Sequence, residues 1–149
     1  MPKRTGTCTV EKKSLYISRD DYERILMWSQ SQKEILFVCL GTKNSIKKVV
    51  RLGNYARDPK NYSFWSDFAF KWSVNRHKIA CQKIIAYGHS HPSKRHDAHP
   101  SRVDLKFSTI GEIELIAFPA KNEVRAWKLG SNIKATLRKE IILKILTIC

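Results

Sequence analysis

The stretch Ile84-Ile85-Ala86-Tyr87-Gly88-His89-Ser90-His91-Pro92 decides how this chain is read. Ile84 to Tyr87 is short, apolar and rich in strand-forming residues, which predicts a strand that ends at Gly88. Two histidines follow at once, separated by a serine. In extended backbone, residues i and i+2 point to the same side, so both imidazoles can reach one point. A His-x-His pair alone is a weak signal, because surface histidines often fall at that spacing. Its weight depends on what the surrounding chain supplies.

Upstream, Glu34-Ile35-Leu36-Phe37-Val38-Cys39-Leu40 is almost wholly apolar and too short for a comfortable helix, so it reads as a buried strand stopped by Gly41. Glu34 is the charged first residue of that run. Ile46 to Leu52 predicts a second strand, and Asn54 to Asp58, before Pro59, a loop. Ser18 to Gln30 predicts a helix: Ser18 can cap it, Asp20 and Asp21 suit its positive end, and Tyr22, Ile25, Leu26 and Ser29 share a face. Phe64 to Arg76, with Trp65, Phe68, Ala69 and Trp72, predicts a second helix whose aromatics serve as core.

Downstream, Glu112 to Phe118 predicts a strand and Glu123 to Leu129 its hairpin partner. From Asn132 to Leu146 the apolar residues Ile133, Leu137, Ile141 and Ile145 recur every four positions, which predicts a closing helix. Helix, strands, helix, strands, helix implies an α/β fold: a mixed, curved β-sheet flanked by helices. No repeat, low-complexity tract or linker interrupts the 149 residues, so one domain is expected over 1–149, with its core over about 14–148.

Composition bounds the function classes. Hydrophobic residues make up 42% and aromatics 10%, which excludes a disordered chain. Lys+Arg is 28 against 13 Asp+Glu, a net charge of +15 that would attract nucleic acid, an acidic membrane surface or an acidic protein. The basic residues are dispersed, with short clusters at Lys47-Lys48, Lys94-Arg95 and Arg138-Lys139. Cys8, Cys39, Cys81 and Cys149 are widely spaced and form no Cys-x-x-Cys pair. No secretory segment opens the chain and no apolar run is long enough for a membrane span, so reduced thiols and a cytoplasmic setting are expected.

The chemistry lies after Gly88. Thirteen residues beyond His91, Asp104 can supply a carboxylate to the point where the two imidazoles meet. Two His and one carboxylate, with a fourth position left to water, make a catalytic zinc arrangement; a structural zinc would be closed by four protein ligands, usually including cysteines. Zinc lowers the pKa of its bound water from ~15.7 towards ~7. A base must still take the water proton and return it to the leaving amine, and Glu34 is the carboxylate on offer. Burial should raise its pKa, which suits that work.

Here the resemblance is specific. His89-Ser90-His91-Pro92 followed by Pro100-Ser101-Arg102-Val103-Asp104, with Glu34 upstream, resembles the JAMM motif of the MPN-type zinc metalloproteases. Glu34 to Gly41, the Asn54 to Pro59 connection, and Glu114 to Phe118 with Arg125-Ala126-Trp127 also look like the corresponding parts of that family, covering about three-quarters of the chain. The resemblance implies an MPN domain with a cytidine-deaminase-like arrangement and one zinc ion per chain. It implies that His89, His91 and Asp104 bind the metal, that Glu34 activates the water, and that Ser101 steadies the oxyanion. The implied activity is hydrolysis after the C-terminal glycine of ubiquitin or a ubiquitin-like protein, and the short chain suits a compact prokaryotic-type or viral member.

The loop from Pro92 to Pro100 is two residues longer than is usual in the family, which loosens the register of Ser101 and Asp104. His96 and His99 in that loop read as solvated side chains, with substrate contact or surrogate ligation as the sharper alternatives. Asp97 is a rival carboxylate, set aside because it follows His91 so closely. Two other function classes stay open: a non-catalytic MPN scaffold, and a basic nucleic-acid-associated protein with structural zinc.

Overall fold

The computed structural model describes residues 14–54, 82–91, 98–100, 112–131 and 136–147, with Ser131 and Thr136 described for backbone only. Seven strands and one α-helix are present among them: β1 (Ser14–Ser18), α1 (Arg19–Trp28), β2 (Leu36–Thr42), β3 (Ser45–Leu52), β4 (Lys83–Ser90), β5 (Glu112–Phe118), β6 (Glu123–Ser131) and β7 (Thr136–Leu146). The strands close into a barrel in the order β1-β3-β2-β4-β5-β6-β7. The expected α/β sheet flanked by helices is therefore corrected to a closed seven-stranded β-barrel with a single α-helix among the described residues. The second expected helix, over 64–76 with Trp65, Phe68 and Trp72, lies outside the described residues, as does the Asp58-Pro59 turn.

The largest correction is at the C-terminal end. Residues 136–146 form β7 and not a helix. A spacing of four residues satisfies two periods: it nearly closes one helical turn, and it is also an even number, so in a strand the same residues share a face. From Glu140 to Leu146 inward and exposed residues alternate: Ile141 is buried and Leu143 and Ile145 are half-buried, while Glu140, Ile142, Lys144 and Leu146 are exposed. That alternation fits a strand with one face inward. β7 lies antiparallel to β6, with Leu129 opposite Arg138, and parallel to β1, with Leu15 opposite Leu143. β1 was not anticipated; its Leu15 and Ile17 alternate inward between outward neighbours.

Inside the barrel, Leu15, Ile17, Ile35, Phe37, Cys39, Val49, Ala86, Leu115, Ala117 and Ile141 meet Ile25 and Leu26 of α1. Each large buried side chain there contributes about 1.5–3 kcal/mol. α1 begins where expected: the Ser18 hydroxyl accepts from the Asp21 N–H at 3.1 Å. The outward face is also buried in two places: Leu36, Val38 and Leu40 pack with Val50 and Leu52, and Ile116, Phe118, Trp127 and Leu129 pack with Ala98.

β2 passes through Gly41 instead of stopping there, with register shifts beside Leu40 toward both neighbours. β4 runs on through Gly88 to Ser90, because Gly88 lies directly beneath the ring of Phe37, its partner on β2. β4 and β5 are adjacent and parallel, and the His-x-His segment stands at the carboxyl end of β4.

Candidate metal centre

His89 and His91 sit at the carboxyl end of β4, at 4% and 2% exposure. The His91 N–H donates to the Ala117 carbonyl at 2.8 Å, carrying the extended conformation one residue past β4. The two side chains therefore project to one side, and their Nε2 atoms approach to 3.2 Å with ring planes tilted by 59°. A tetrahedral zinc bound at about 2.0–2.1 Å by each of two imidazoles would hold the nitrogens about 3.3 Å apart. The observed spacing fits such an ion.

His89 Nδ1 lies 2.9 Å from Glu114 Oε2. An ionised carboxylate only accepts, so the hydrogen in this contact comes from Nδ1; when His89 is neutral, that leaves the lone pair on Nε2. Glu114 is largely buried, and it reaches His89 diagonally: Tyr87 pairs with Glu114 and His89 with Ile116 across the β4–β5 ladder. This contact was not anticipated from the sequence. The available signal was a charged residue in the middle of an apolar strand, at even spacing from the apolar Ile116 and Phe118.

Glu34 is 5% exposed and immediately precedes Ile35 and β2. Ile35 is tied on both sides to Ser90, the residue between the two histidines: the Ser90 N–H donates to the Ile35 carbonyl at 3.1 Å, and the Ile35 N–H donates to Ser90 Oγ at 2.9 Å. Leu36 pairs with His89, and extending that register by two residues sets Glu34 opposite His91. The Asn54 side-chain amide donates to the Glu34 carbonyl at 2.8 Å and fixes the backbone there. Ser90 thus serves as the clamp between the Glu34 segment and the histidine strand.

Ser101 and Asp104 lie outside the described residues, as do His96 and Asp97. Among the described residues, no group of three His, Cys, Asp or Glu side chains is placed to hold a metal ion. His89 and His91 are brought together; Asp104, the expected third donor, is not among the residues described.

The return of the loop is anchored on β6. Trp127 Nε1–H donates to the Ala98 carbonyl at 2.8 Å, the His99 ring tilts against the Trp127 ring at 4.9 Å, and Arg125 Nη1 donates to His99 Nε2 at 3.3 Å. His99 is half-buried in this contact, in place of the solvated side chain expected. Burial, reinforced by Glu112 and Glu114, raises the Tyr87 hydroxyl pKa, and burial pushes the Cys39 thiol far up. Among the described residues, no helix is long and apolar enough to cross a membrane.

No family model matches the chain, and no curated protein matches it. Solved structures do. The solution structure of protein DSY2949 from Desulfitobacterium hafniense superposes with a TM-score of 0.70 at 19% identity, over 89% of this chain and 94% of that one. The crystal structure of AF2198, a JAB1/MPN domain protein from Archaeoglobus fulgidus, superposes with a TM-score of 0.52 at 20% identity, over 89% of this chain and 98% of that one. At these identities the likeness is one of fold: the chain has an MPN-like fold.

Proposed function

We propose that this chain is a zinc-dependent peptidase or isopeptidase that cleaves after the C-terminal glycine of ubiquitin or a ubiquitin-like protein. The observation that carries the reading is the convergence of the buried His89 and His91 at 3.2 Å between their Nε2 atoms, beside the segment that holds the buried Glu34. The MPN-like fold and the JAMM-like spacing of Glu34, His89, His91, Ser101 and Asp104 support it.

His89, His91 and Asp104 would hold the zinc, which would supply an acidified water and a positive charge at the scissile carbonyl. Glu34 takes a proton from the attacking water as the C–O bond forms. It then delivers that proton to the amine nitrogen as the C–N bond breaks, which gives a carboxylic acid and an amine; the acid's remaining proton passes to the amine, so the products leave as a carboxylate and an ammonium. Ser101 donates a hydrogen bond to the oxyanion between those steps. The net charge of +15 favours an acidic partner, and added salt should then weaken substrate binding.

The test pairs metal analysis with Glu34→Gln. Ubiquitin-like fusion proteins are incubated with the wild-type chain, with and without a chelator, and with the variant. The expected result is about one zinc per chain in both proteins and cleavage that chelator abolishes. Glu34→Gln should lower the rate by about 10²–10⁴-fold, the usual worth of a positioned proton-transfer group. Zinc bound without cleavage of any fusion would point to a scaffold, and cleavage by the variant at the wild-type rate would remove Glu34 from its role.

A further inference from the structure

We infer that Glu114 is a positioning residue for the metal: it selects the tautomer of His89 and fixes the ring so that Nε2 is offered to the ion. The metal consequence rests on the proposed reading of His89 as a ligand, whereas the tautomer consequence does not. Glu114 is no part of the Glu, His-x-His, Ser-x-x-Asp pattern, and it lies on a different strand from both histidines.

A neutral imidazole carries one proton, and only the other nitrogen can bind a metal. Glu114 Oε2 stands 2.9 Å from Nδ1 of a ring that is itself 4% exposed. Solvent is therefore largely excluded as a competing partner for Nδ1, and the carboxylate sets which nitrogen keeps the hydrogen. The same contact holds the ring in rotation about its Cβ–Cγ bond, which places Nε2 3.2 Å from Nε2 of His91. Carboxylates placed behind metal-bound histidines in this way typically change metal affinity by about 10–100-fold when removed.

The backbone makes the arrangement rigid. β4 and β5 are paired in parallel from Tyr87–Glu114 to Ser90–Ala117, so the diagonal from Glu114 to His89 is spanned by ladder hydrogen bonds and not by a loop. β6 holds the far side of β5, with Glu114 opposite Trp127. Trp127 in turn receives the returning loop at Ala98 and His99. Glu114 thus stands on the strand that links the first histidine to the anchor of the loop leading to Ser101 and Asp104.

The experiment compares wild type, Glu114→Gln and Glu114→Ala. Zinc affinity is read by competition with a chromogenic chelator, and the tautomer of His89 by nitrogen-15 NMR of the zinc-free protein. Wild-type His89 should show a protonated Nδ1 and an unprotonated Nε2. In Glu114→Ala, zinc affinity should fall about 10–100-fold, with His89 becoming a mixture of both tautomers. Glu114→Gln keeps an oxygen that can accept from Nδ1, so it should retain the Nδ1–H form and lie between the other two in affinity. The His99 signals, held by Arg125 on β6, report whether the fold survives in each variant. Unchanged zinc affinity in a folded Glu114→Ala, or retention of its pure Nδ1–H tautomer, overturns the inference. A wild-type chain that holds no zinc would remove the proposed function, and the zinc-free spectra would still decide the role of Glu114.

Discussion

Substituting Gly88 by alanine should destabilise the chain through one identifiable clash. A Cβ built on Gly88 would lie 2.1, 2.2 and 2.7 Å from Cζ, Cε2 and Cε1 of Phe37. Carbon atoms in contact settle at about 3.5–4.0 Å, so the ring would have to retreat by more than about 1 Å. Phe37 is 1% exposed and belongs to the barrel interior, so it has no free space to enter. Backbone conformation does not complicate the test, because Gly130 is the only glycine with a left-handed φ among the described residues. The entropic gain of Gly→Ala, about 0.4–1 kcal/mol, opposes the clash but is smaller. Overpacking of this kind costs about 1–3 kcal/mol, and loss of the Phe37 packing altogether, about 3–5 kcal/mol, sets the ceiling. Urea unfolding followed by circular dichroism measures the change. The Phe37→Leu background removes the clashing ring edge, so Gly88→Ala should cost less there, with a coupling of about 0.5–3 kcal/mol. A Gly88→Ala protein within about 0.5 kcal/mol of wild type, or a fully additive cycle, would refute the reasoning.

Two further outcomes follow from features away from the histidines. Burial raises the Asp21 carboxyl pKa above its ordinary value despite the opposing Arg24 guanidinium 3.0 Å away. A raised folded-state pKa gives stability that is present at low pH and lost as pH rises through that value, so Asp21→Asn should gain on wild type as pH rises above the ordinary carboxylate range; a pH series of thermal melts in which wild type gains on the variant would contradict this. Trp127→Phe keeps the ring but removes the hydrogen bond to the buried Ala98 carbonyl, and should cost about 1–3 kcal/mol in equilibrium unfolding. A loss under about 0.5 kcal/mol would mean that the anchor contributes little.

What the sequence disclosed and what it hid divide along physical lines. β5 and the start of β6 were legible because short apolar runs bounded by turn residues leave little choice of structure. The burial of Glu34 was legible because it leads a run that has no polar face. β7 was hidden because its stripe at spacing four fits helix and strand alike, and the deciding factor, partners on both β1 and β6, is non-local. The strand ends at Gly88 and Gly41 were misjudged for one reason: glycine there answers to a neighbour, the Phe37 ring in one case and the Ser45 carbonyl in the other. Ser90 and Glu114 were missed because each acts across a ladder whose register no single segment reveals.

The pairing of β1 with β7 has a consequence for assembly. Ser14–Ser18 pairs with Ile142–Leu146 along its full length, whereas among the described residues it pairs with β3 at a single position, Tyr16 with Ser45. Among the described strands, the earliest therefore waits for the latest before most of its backbone groups find partners. Contacts so distant along the chain carry a large entropic cost before they return any energy, which slows folding. Until β7 docks, β6 and β1 each present an open edge on which another chain could pair, so crowding of half-made molecules is the condition under which this barrel is most exposed to misassembly.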